Sequence, residues 1–229
     1  MQRLAAVIIC LVLIAVGLAG CTDKVWERTD EYEDGGGVIV SPEGVHYHHG
    51  TAGWHIVGFK TDKKLGLIPY TANSKKGNRV CSIEGADSDK YIAVQDTTER
   101  LIFDTMPEYN VHIRNGEEID YTSTDISEIV FIPIKEDADD YSQYVKDHGL
   151  FGDEAKAAIQ GMYDNEGEFA MPYEVLGNII YRQEGMDWCY FMAFVRYSHK
   201  DGYFIIMNGK YYALPENTLK ALGISFNES

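Results

Sequence analysis

The feature that most constrains the fold is a run of four apolar segments near the carboxyl terminus, at 175–183, 188–197, 203–207 and 210–214. Segments rich in glycine, aspartate and asparagine separate them, and these residues favour tight turns between antiparallel strands. In the second segment, WCYFMAFVRY, both alternating sets of side chains are largely apolar. A strand that is apolar on both faces is covered on both sides. The sequence therefore predicts an antiparallel meander with a central strand at 188–197.

Helical spacing appears before this meander. Residues 126–134, ISEIVFIPI, predict a buried strand. After them, the apolar residues recur at the three- to four-residue spacing of a helix. Asp137 can cap a helix that ends at Gly149, and Asp153 can cap a second helix. The inward stripe of this second helix would consist of Ala155, Ala158, Ile159 and Met162. We expect the two helices to form a pair, and Pro215 to begin a last short helix.

The amino-terminal half contains short β-type segments between residues 38 and 121, with an Asn115-Gly116 pair typical of a two-residue hairpin. A small antiparallel sheet or a partial barrel is expected here. The predicted fold class is α+β: an antiparallel β-rich amino-terminal half, a helix pair, an antiparallel meander and a short terminal helix. The folded domain would cover 38–229, with a sub-boundary near 120–125. The polar segment 22–37, which ends in three glycines, predicts a flexible tether.

The first 21 residues, MQRLAAVIICLVLIAVGLAGC, predict export from the cytoplasm. Their last four residues, Leu18-Ala19-Gly20-Cys21, resemble the lipobox of bacterial lipoprotein precursors, and the sequence shows no family for the rest of the chain. The resemblance implies cleavage before Cys21 and attachment of acyl chains such as palmitate to it. Residues 1–20 would then be a lipoprotein signal peptide, and 21–37 the lipidated cysteine and its tether. A short transmembrane helix and an ordinary secretory signal are the alternatives.

Lipidation and charge together limit the partners. The lipid would hold the protein on the cell membrane, facing the extracytoplasmic side, or on the outer membrane if the host has one. The chain has 36 acidic and 20 basic residues and a formal net charge of −16, which repels phosphate backbones. We therefore expect no nucleic-acid partner. The expected partners are the membrane, through the lipid on Cys21, and an envelope protein or carbohydrate.

Motifs of known catalytic chemistry are missing from the sequence: it has no G-x-S-x-G, S-x-x-K, H-E-x-x-H, C-x-x-C, P-loop or G-x-G-x-x-G. We predict no catalytic residues and no cofactor. His46, His48 and His55 are candidate metal ligands, because His46 and His48 would share one strand face about 6.5–7 Å apart. The alternative is an exposed polar strand without a metal. Cys81 and Cys189 either form a disulfide or stay buried free thiols, and the second interpretation is favoured.

Tyrosine is the remaining compositional bias, with 16 residues of which several fall in predicted strands. An apolar ring with a polar tip suits surfaces that recognise proteins or sugars. The favoured hypothesis is a membrane-tethered, non-enzymatic binding or interaction module of the cell envelope. The alternative is an envelope hydrolase, metal-dependent through His46, His48 and His55. A flat face bearing tyrosines would favour the binding module, and a concave pocket with convergent polar groups would favour the enzyme.

Overall fold

The computed structural model describes residues 23–33, 36–49, 56–69, 77–95, 109–134, 140–168, 172–207 and 209–224. Its strands, in chain order, are β1 (Glu27–Glu33), β2 (Gly36–Val40), β3 (His46–His48), β4 (Ile56–Val57), β5 (Thr61–Ile68), β6 (Asn78–Ile83), β7 (Tyr91–Gln95), β8 (Tyr109–Arg114), β9 (Ile126–Pro133), β10 (Leu150–Phe151), β11 (Glu174–Gln183), β12 (Tyr190–Ser198), β13 (Gly202–Met207) and β14 (Lys210–Ala213). The helices are α1 (Tyr141–His148), α2 (Gly152–Ile159) and α3 (Glu216–Ala221). The strands form two antiparallel sheets.

The first sheet has the order β1-β2-β3-β8-β7-β6-β5 and curls until its two edges meet. Val25, just before β1, forms a parallel bridge to Leu67 of β5. Two backbone hydrogen bonds fasten this bridge: Trp26 N–H donates to the Leu67 carbonyl at 2.8 Å, and Leu67 N–H donates to the Lys24 carbonyl at 2.9 Å. We call this sheet the closed sheet. Its interior is a small apolar core made of Trp26, Ile39, Tyr47, Ile68, Val80, Ile92 and Val94.

The segment 22–37 differs from the flexible tether that its polar sequence predicts. Trp26 is only 4% exposed and belongs to the interior of the closed sheet, and β1 follows directly after it. The residues of β1, ERTDEYE, are polar, and their backbone groups pair with β2. Composition therefore missed a strand that is held by backbone hydrogen bonds and one tryptophan.

The second sheet has the order β10-β9-β11-β12-β13-β14. Strand β13 pairs with β12 only from Phe194 to Ser198. The short strand β4 continues the same edge of β12, where Val57 pairs with Tyr190 and Ile56 with Phe191. A piece of the amino-terminal half thus completes the carboxyl-terminal sheet.

The two sheets share one large core. Alternate side chains of β6 and β7 point in opposite directions, since Val80 and Ile92 lie inside the closed sheet while Cys81 and Ala93 pack against the second sheet. The facing side chains of the second sheet are Ile179, Tyr181, Phe191, Ala193, Val195 and Ile205. The middle of the closed sheet is therefore buried on both sides, which explains the apolar character of these strands.

The α+β prediction is wrong, because the described part of the chain is mostly antiparallel sheet, with 49% of its residues in strands and 14% in helices. The predicted helix pair is absent for a geometric reason. Val145 of α1 packs with Ile180 on one face of the second sheet, whereas Ala158 of α2 packs with Ile179 on the other. Between the two helices, β10 pairs with the edge strand β9, so the chain passes around the edge of the sheet. The sheet itself separates the helices.

The helix ends also differ from expectation. The predicted cap Asp137 lies outside the described residues, and the cap of α1 is Asp140, whose side chain accepts a hydrogen bond from Gln143 N–H at 3.2 Å. Asp153 does not cap α2 but lies in its first turn, after the N-cap Phe151. Within the described ranges, no helix is long and apolar enough to cross a membrane.

Candidate functional site

The histidines predicted as metal ligands lie on β3. The backbone places His46 and His48 on the outer face of the closed sheet, because Tyr47 between them points inward. His48 Nδ1 lies 2.9 Å from Asn115 Oδ1, and His46 is exposed. His55 lies outside the described residues. In the part of the chain that the structure describes, no group of three or more histidine, cysteine, aspartate or glutamate side chains is arranged to hold a metal ion.

Both cysteines are buried in the core between the two sheets, and the structure has them as free thiols. Burial raises the pKa of the Cys81 thiol and, more strongly, that of the Cys189 thiol. The nucleophile in cysteine chemistry is the thiolate, so these neutral, buried thiols are poorly suited to catalysis. Their role in the structure is that of small apolar side chains.

Many of the tyrosines belong to the core rather than to a recognition surface. The buried ones are Tyr47, Tyr121, Tyr181, Tyr190 and Tyr212. Tyr181 Oη donates to the backbone carbonyl of Tyr121 at 2.7 Å and accepts from Tyr163 Oη at 3.1 Å. Burial raises the pKa of Tyr181 and Tyr163, so both hydroxyls stay protonated and able to donate.

A different group of aromatic residues lies on the face of the second sheet that carries α1. Helix α1 covers this face at β9. The same face at β12, β13 and β14 carries mostly half-buried side chains, which surround one arginine. The strand register places its members side by side, since Phe194 pairs with Ile206, Arg196 with Phe204, and Ile206 with Tyr211. We call this surface the aromatic face; its residues are Tyr173, Phe194, Arg196, Phe204, Ile206 and Tyr211.

The rings of the aromatic face pack on one another. Phe204 is fully buried at its centre, with the Tyr173 ring at a centroid distance of 5.8 Å in an edge-to-face arrangement and the Tyr211 ring at 6.1 Å. Edge-to-face contacts of this kind stabilise aromatic clusters. The cluster therefore presents a fixed surface of ring edges and faces.

Arg196 is the only charged member of the aromatic face. Its guanidinium carbon lies 4.7 Å from the Tyr173 ring centroid and 5.8 Å from that of Phe194. Its Nε and Nη1 are buried and have no hydrogen-bond acceptor among the described residues. A buried donor without an acceptor costs about 1–3 kcal/mol. Arg196 thus combines a favourable cation–π contact with unused hydrogen-bonding capacity.

Arg182 shows what a paired arginine on the same face looks like. Its guanidinium carbon lies 4.1 Å from the Tyr190 ring centroid. Its Nε lies 2.9 Å from Glu128 Oε1, so the two side chains form an ion pair. The Nε–H group does not point at that oxygen well enough for a hydrogen bond. Arg196 has no such carboxylate partner within the described ranges, in a chain that carries 36 acidic residues. Of these two arginines, Arg196 is the one without a carboxylate nearby in the part of the chain that the structure describes.

A groove of about 640 Å³ borders the aromatic face. The groove runs along the open edge of β9, between α1 and α3. One of its lining residues, Val175 of β11, pairs with Arg196 of β12, and this pair connects the groove to the aromatic face. Its lining combines the polar side chains of Tyr144, His148 and Glu174 with the hydrophobic residues Phe131, Pro133, Ile134, Leu176, Leu222 and Ile224. Ile134 is 62% exposed, which is unusual for a large aliphatic side chain. The volume lies within the range of ligand pockets, so the groove and the aromatic face together form the candidate site.

Comparison with known proteins adds no assignment: no family model matches the chain, and neither the curated proteins nor the solved structures give a match.

The sequence did not single out Arg196 or the groove. The alternation of aromatic residues with Arg196 in β12 was a usable signal, because an arginine on an apolar strand needs an aromatic or acidic partner. The groove depends on where α1 and α3 lie, which no local pattern encodes.

Proposed function

We propose that the protein is a membrane-tethered extracytoplasmic lipoprotein that acts as a non-enzymatic binding module of the cell envelope. The Leu18-Ala19-Gly20-Cys21 tetrad supports the lipid anchor. The observation that carries the binding function is Arg196, which lacks an acceptor and lies beside the groove. A groove with many hydrophobic lining residues next to an unused cationic donor supports a role in binding.

The preferred partner is a polypeptide segment of another envelope protein. The groove offers hydrophobic side chains such as Leu176 and Leu222, which can pack against the apolar side chains of a peptide, and polar ones such as Glu174. Arg196 would take a carboxylate or carbonyl oxygen of the same segment, once the segment displaces part of the ring packing around it. Arginine flanked by aromatic rings is typical of the residues that dominate interface energies.

The distance between anchor and fold also supports a partner near the membrane. Trp26 already belongs to the closed sheet, so few residues separate the folded part from Cys21. A short connection confines the binding surface to a thin layer above the lipid and raises the effective concentration of neighbouring proteins there. A partner in the same layer would be bound even with modest intrinsic affinity.

Site-specific photo-cross-linking in intact cells tests the proposal. A photoreactive amino acid at Tyr211 or at Leu222 should capture the same protein, whereas one at Glu43 on the closed sheet should not. Arg196→Ala should reduce capture from both positions about tenfold or more, because a charge-assisted hydrogen bond contributes about 1.5–3 kcal/mol. Arg79→Ala removes one exposed positive charge elsewhere and should leave capture unchanged. Capture that is absent, or that is insensitive to Arg196→Ala, would contradict the proposal.

The hydrolase alternative has two histidines on one face of β3 in its favour and no third ligand within the described residues. Metal analysis of the purified chain separates it from the binding module. About one zinc or other transition ion per chain, lost when His46 and His48 are both replaced by alanine, would favour the hydrolase. The same double replacement should leave cross-linking from Tyr211 unchanged if the binding module is correct.

A further inference from the structure

The second sheet has one edge that its own strands leave incomplete in the described part of the chain. At the opposite edge, β14 is covered by a bridge between Glu166 and Tyr212. At this edge, β10 pairs only with Glu128 and Ile129 of β9. The rest of β9, from Val130 to Pro133, has β11 on one side and no strand on the other among the described residues.

The backbone groups that face this open edge belong to Phe131 and Pro133. Ile134 N–H donates to the Leu176 carbonyl of β11 at 2.9 Å. The Ile132 carbonyl oxygen faces β11 as well, because a methyl group on a glycine of β11 would collide with it. Alternate residues of a strand direct their N–H and C=O groups to opposite sides, so Phe131 and Pro133 direct theirs away from β11. Within the described ranges, no backbone hydrogen bond reaches these outward groups.

Two helices flank the open edge, one on each face of the sheet. Tyr144 and His148 of α1 line the groove from the face that carries α1. Leu222 and Ile224, just after α3, line it from the other face. The groove therefore lies in the continuation of the sheet, at the place where a further strand would pair with β9. Alternate side chains of such a strand would contact the two helical walls in turn.

The surroundings of the groove indicate which kind of segment would fit. Glu174 lines the groove near the end of β9, and Asp153 and Glu154 follow β10 at the start of α2. With a net charge of −16 on the whole chain, these carboxylates favour a basic partner. Ile134, which is 62% exposed, favours apolar side chains between the basic ends. A second copy of the chain is a poor fit, because its own β9 edge lies recessed between the same two helices.

We propose that the groove binds its partner by strand addition: an extended segment, apolar in the middle and basic at its ends, pairs with the open edge of β9. This inference rests on the proposed binding function and adds how the partner is recognised. In an antiparallel arrangement, the partner residue opposite Phe131 would exchange two backbone hydrogen bonds with it, and another would donate to the Pro133 carbonyl. Main-chain pairing would provide affinity, and the helical walls would provide specificity. Pro133 has no N–H group, so it limits the added strand to a short one.

The test begins with a library of short random peptides displayed on phage, selected against the full-length chain in non-ionic detergent. The selected peptides should be apolar in the middle, with lysine or arginine at the ends, and the tightest binder is synthesised with both ends capped. Hydrogen exchange of the Phe131 amide, followed by NMR, should be fast in the free chain and about tenfold or more slower in the complex. The Ile132 amide faces β11 and should exchange slowly in both states.

Two replacements of Phe131 isolate the contribution of its N–H group. Phe131→Ala and Phe131→Pro both remove the ring, but only the proline removes the N–H that faces the open edge. Phe131→Pro should bind the peptide about tenfold more weakly than Phe131→Ala, because a peptide carbonyl loses its donor. A second comparison leaves the protein unchanged. N-methylation of consecutive peptide residues should abolish binding, whereas methylation of one of the two alternate sets leaves the pairing edge free and should retain it.

Several results would overturn strand addition. They are a library that yields no binder, a Phe131 amide that stays fast in the complex, and equal affinities of the proline and alanine variants. Slow exchange of the Phe131 amide without peptide would also do so, because the chain itself or a second copy would then cover the edge. A peptide that binds in an Arg196-dependent manner while the Phe131 amide stays fast would overturn strand addition alone. The proposed binding function fails separately, if cross-linking from Tyr211 in cells is insensitive to Arg196→Ala.

Discussion

The side chain of Tyr181 connects several parts of the core of this protein. Its ring is stacked on Phe191 at a centroid distance of 5.5 Å, and its hydroxyl bonds to the Tyr121 carbonyl and to Tyr163. The Tyr121 carbonyl belongs to the segment that leads from the closed sheet into β9. One side chain therefore fixes the connection between the two sheets to the centre of the second.

Tyr181→Phe should lower the free energy of unfolding by about 1–3 kcal/mol, because it leaves the Tyr121 carbonyl without its donor while the ring packing stays intact. Urea denaturation of residues 22–229 measures the change. Tyr190→Phe is the matched control, since the Tyr190 hydroxyl makes only a long contact of 3.5 Å with Ser142 Oγ. Equal losses in the two variants would show that the Tyr181 hydroxyl has no special role.

The sequence predicted the burial of some residues better than the burial of others. Alternation in 188–197 correctly indicated the buried face of β12 with Phe191, Ala193 and Val195, because a local pattern of period two encodes it. The opposite face, with Phe194 and Arg196, is only half-buried, so the prediction that both sides are covered was wrong there. The high tyrosine content suggested an exposed surface, yet several tyrosines lie in the core, and the hydroxyl of one of them, Tyr181, is hydrogen-bonded there. A tyrosine side chain suits the core as well as an exposed surface, so only the fold decides which tyrosines are exposed to a binding partner. Arg196 was missed although its alternation with aromatic residues in β12 was a usable signal.

Among the elements, the closure of the first sheet depends on a glycine. Gly66 lies in β5 next to the bridge between Val25 and Leu67. A methyl group on Gly66 would lie 2.7 Å from the Trp26 ring and closer still to the Lys24 carbonyl oxygen. The start of β1 can approach β5 only because this position has no side chain.

Gly66→Ala should separate the two edges of the closed sheet and lower the stability by about 3 kcal/mol, since neither the backbone nor the buried indole can move away without breaking the bridge. A red shift of tryptophan emission, together with urea denaturation, reports the opening at Trp26. Gly116→Ala serves for comparison: φ is +88° there and no atom lies within 4 Å of an added methyl group. That variant should lose only about 1 kcal/mol.

The order of the elements was largely readable from the sequence, but their arrangement was not. A helix was expected to follow Asp137 and to end at Gly149, and α1 does end there, although it begins at Tyr141. The pairing of α1 with α2 failed because β10 carries the chain around the edge of the sheet. A two-residue strand such as β10 has too few residues to produce a pattern, and it nevertheless decides which face each helix covers.

For the whole molecule, the proposed lipid anchor determines where the binding surface works. The tetrad that ends at Cys21 is the basis of this proposal, and the fold begins within a few residues of it. A single acyl chain gives only reversible membrane binding, whereas the two or three chains of a processed lipoprotein anchor it stably. The anchor, rather than the strongly acidic surface, would bring the protein to the membrane.

Cys21→Ser should block lipidation and leave a precursor that retains residues 1–20, because the thioether acceptor is the sulfur atom. Mass spectrometry of the intact amino terminus, after expression in a bacterium that processes lipoproteins, measures this outcome. Cys10→Ser, inside the predicted signal peptide, should mature normally. A Cys21→Ser chain that is still cleaved at the same position would argue for an ordinary secretory signal.

The short strand β4 has a consequence for the order in which the protein can fold. If the protein is exported as proposed, Ile56 emerges early, yet its partner Phe191 follows more than a hundred residues later. The second sheet cannot be finished until both have emerged, and its final pairing closes a very long loop of chain. The amino-terminal part must therefore wait with an unfilled pairing position, which should make completion of the second sheet a slow step of folding.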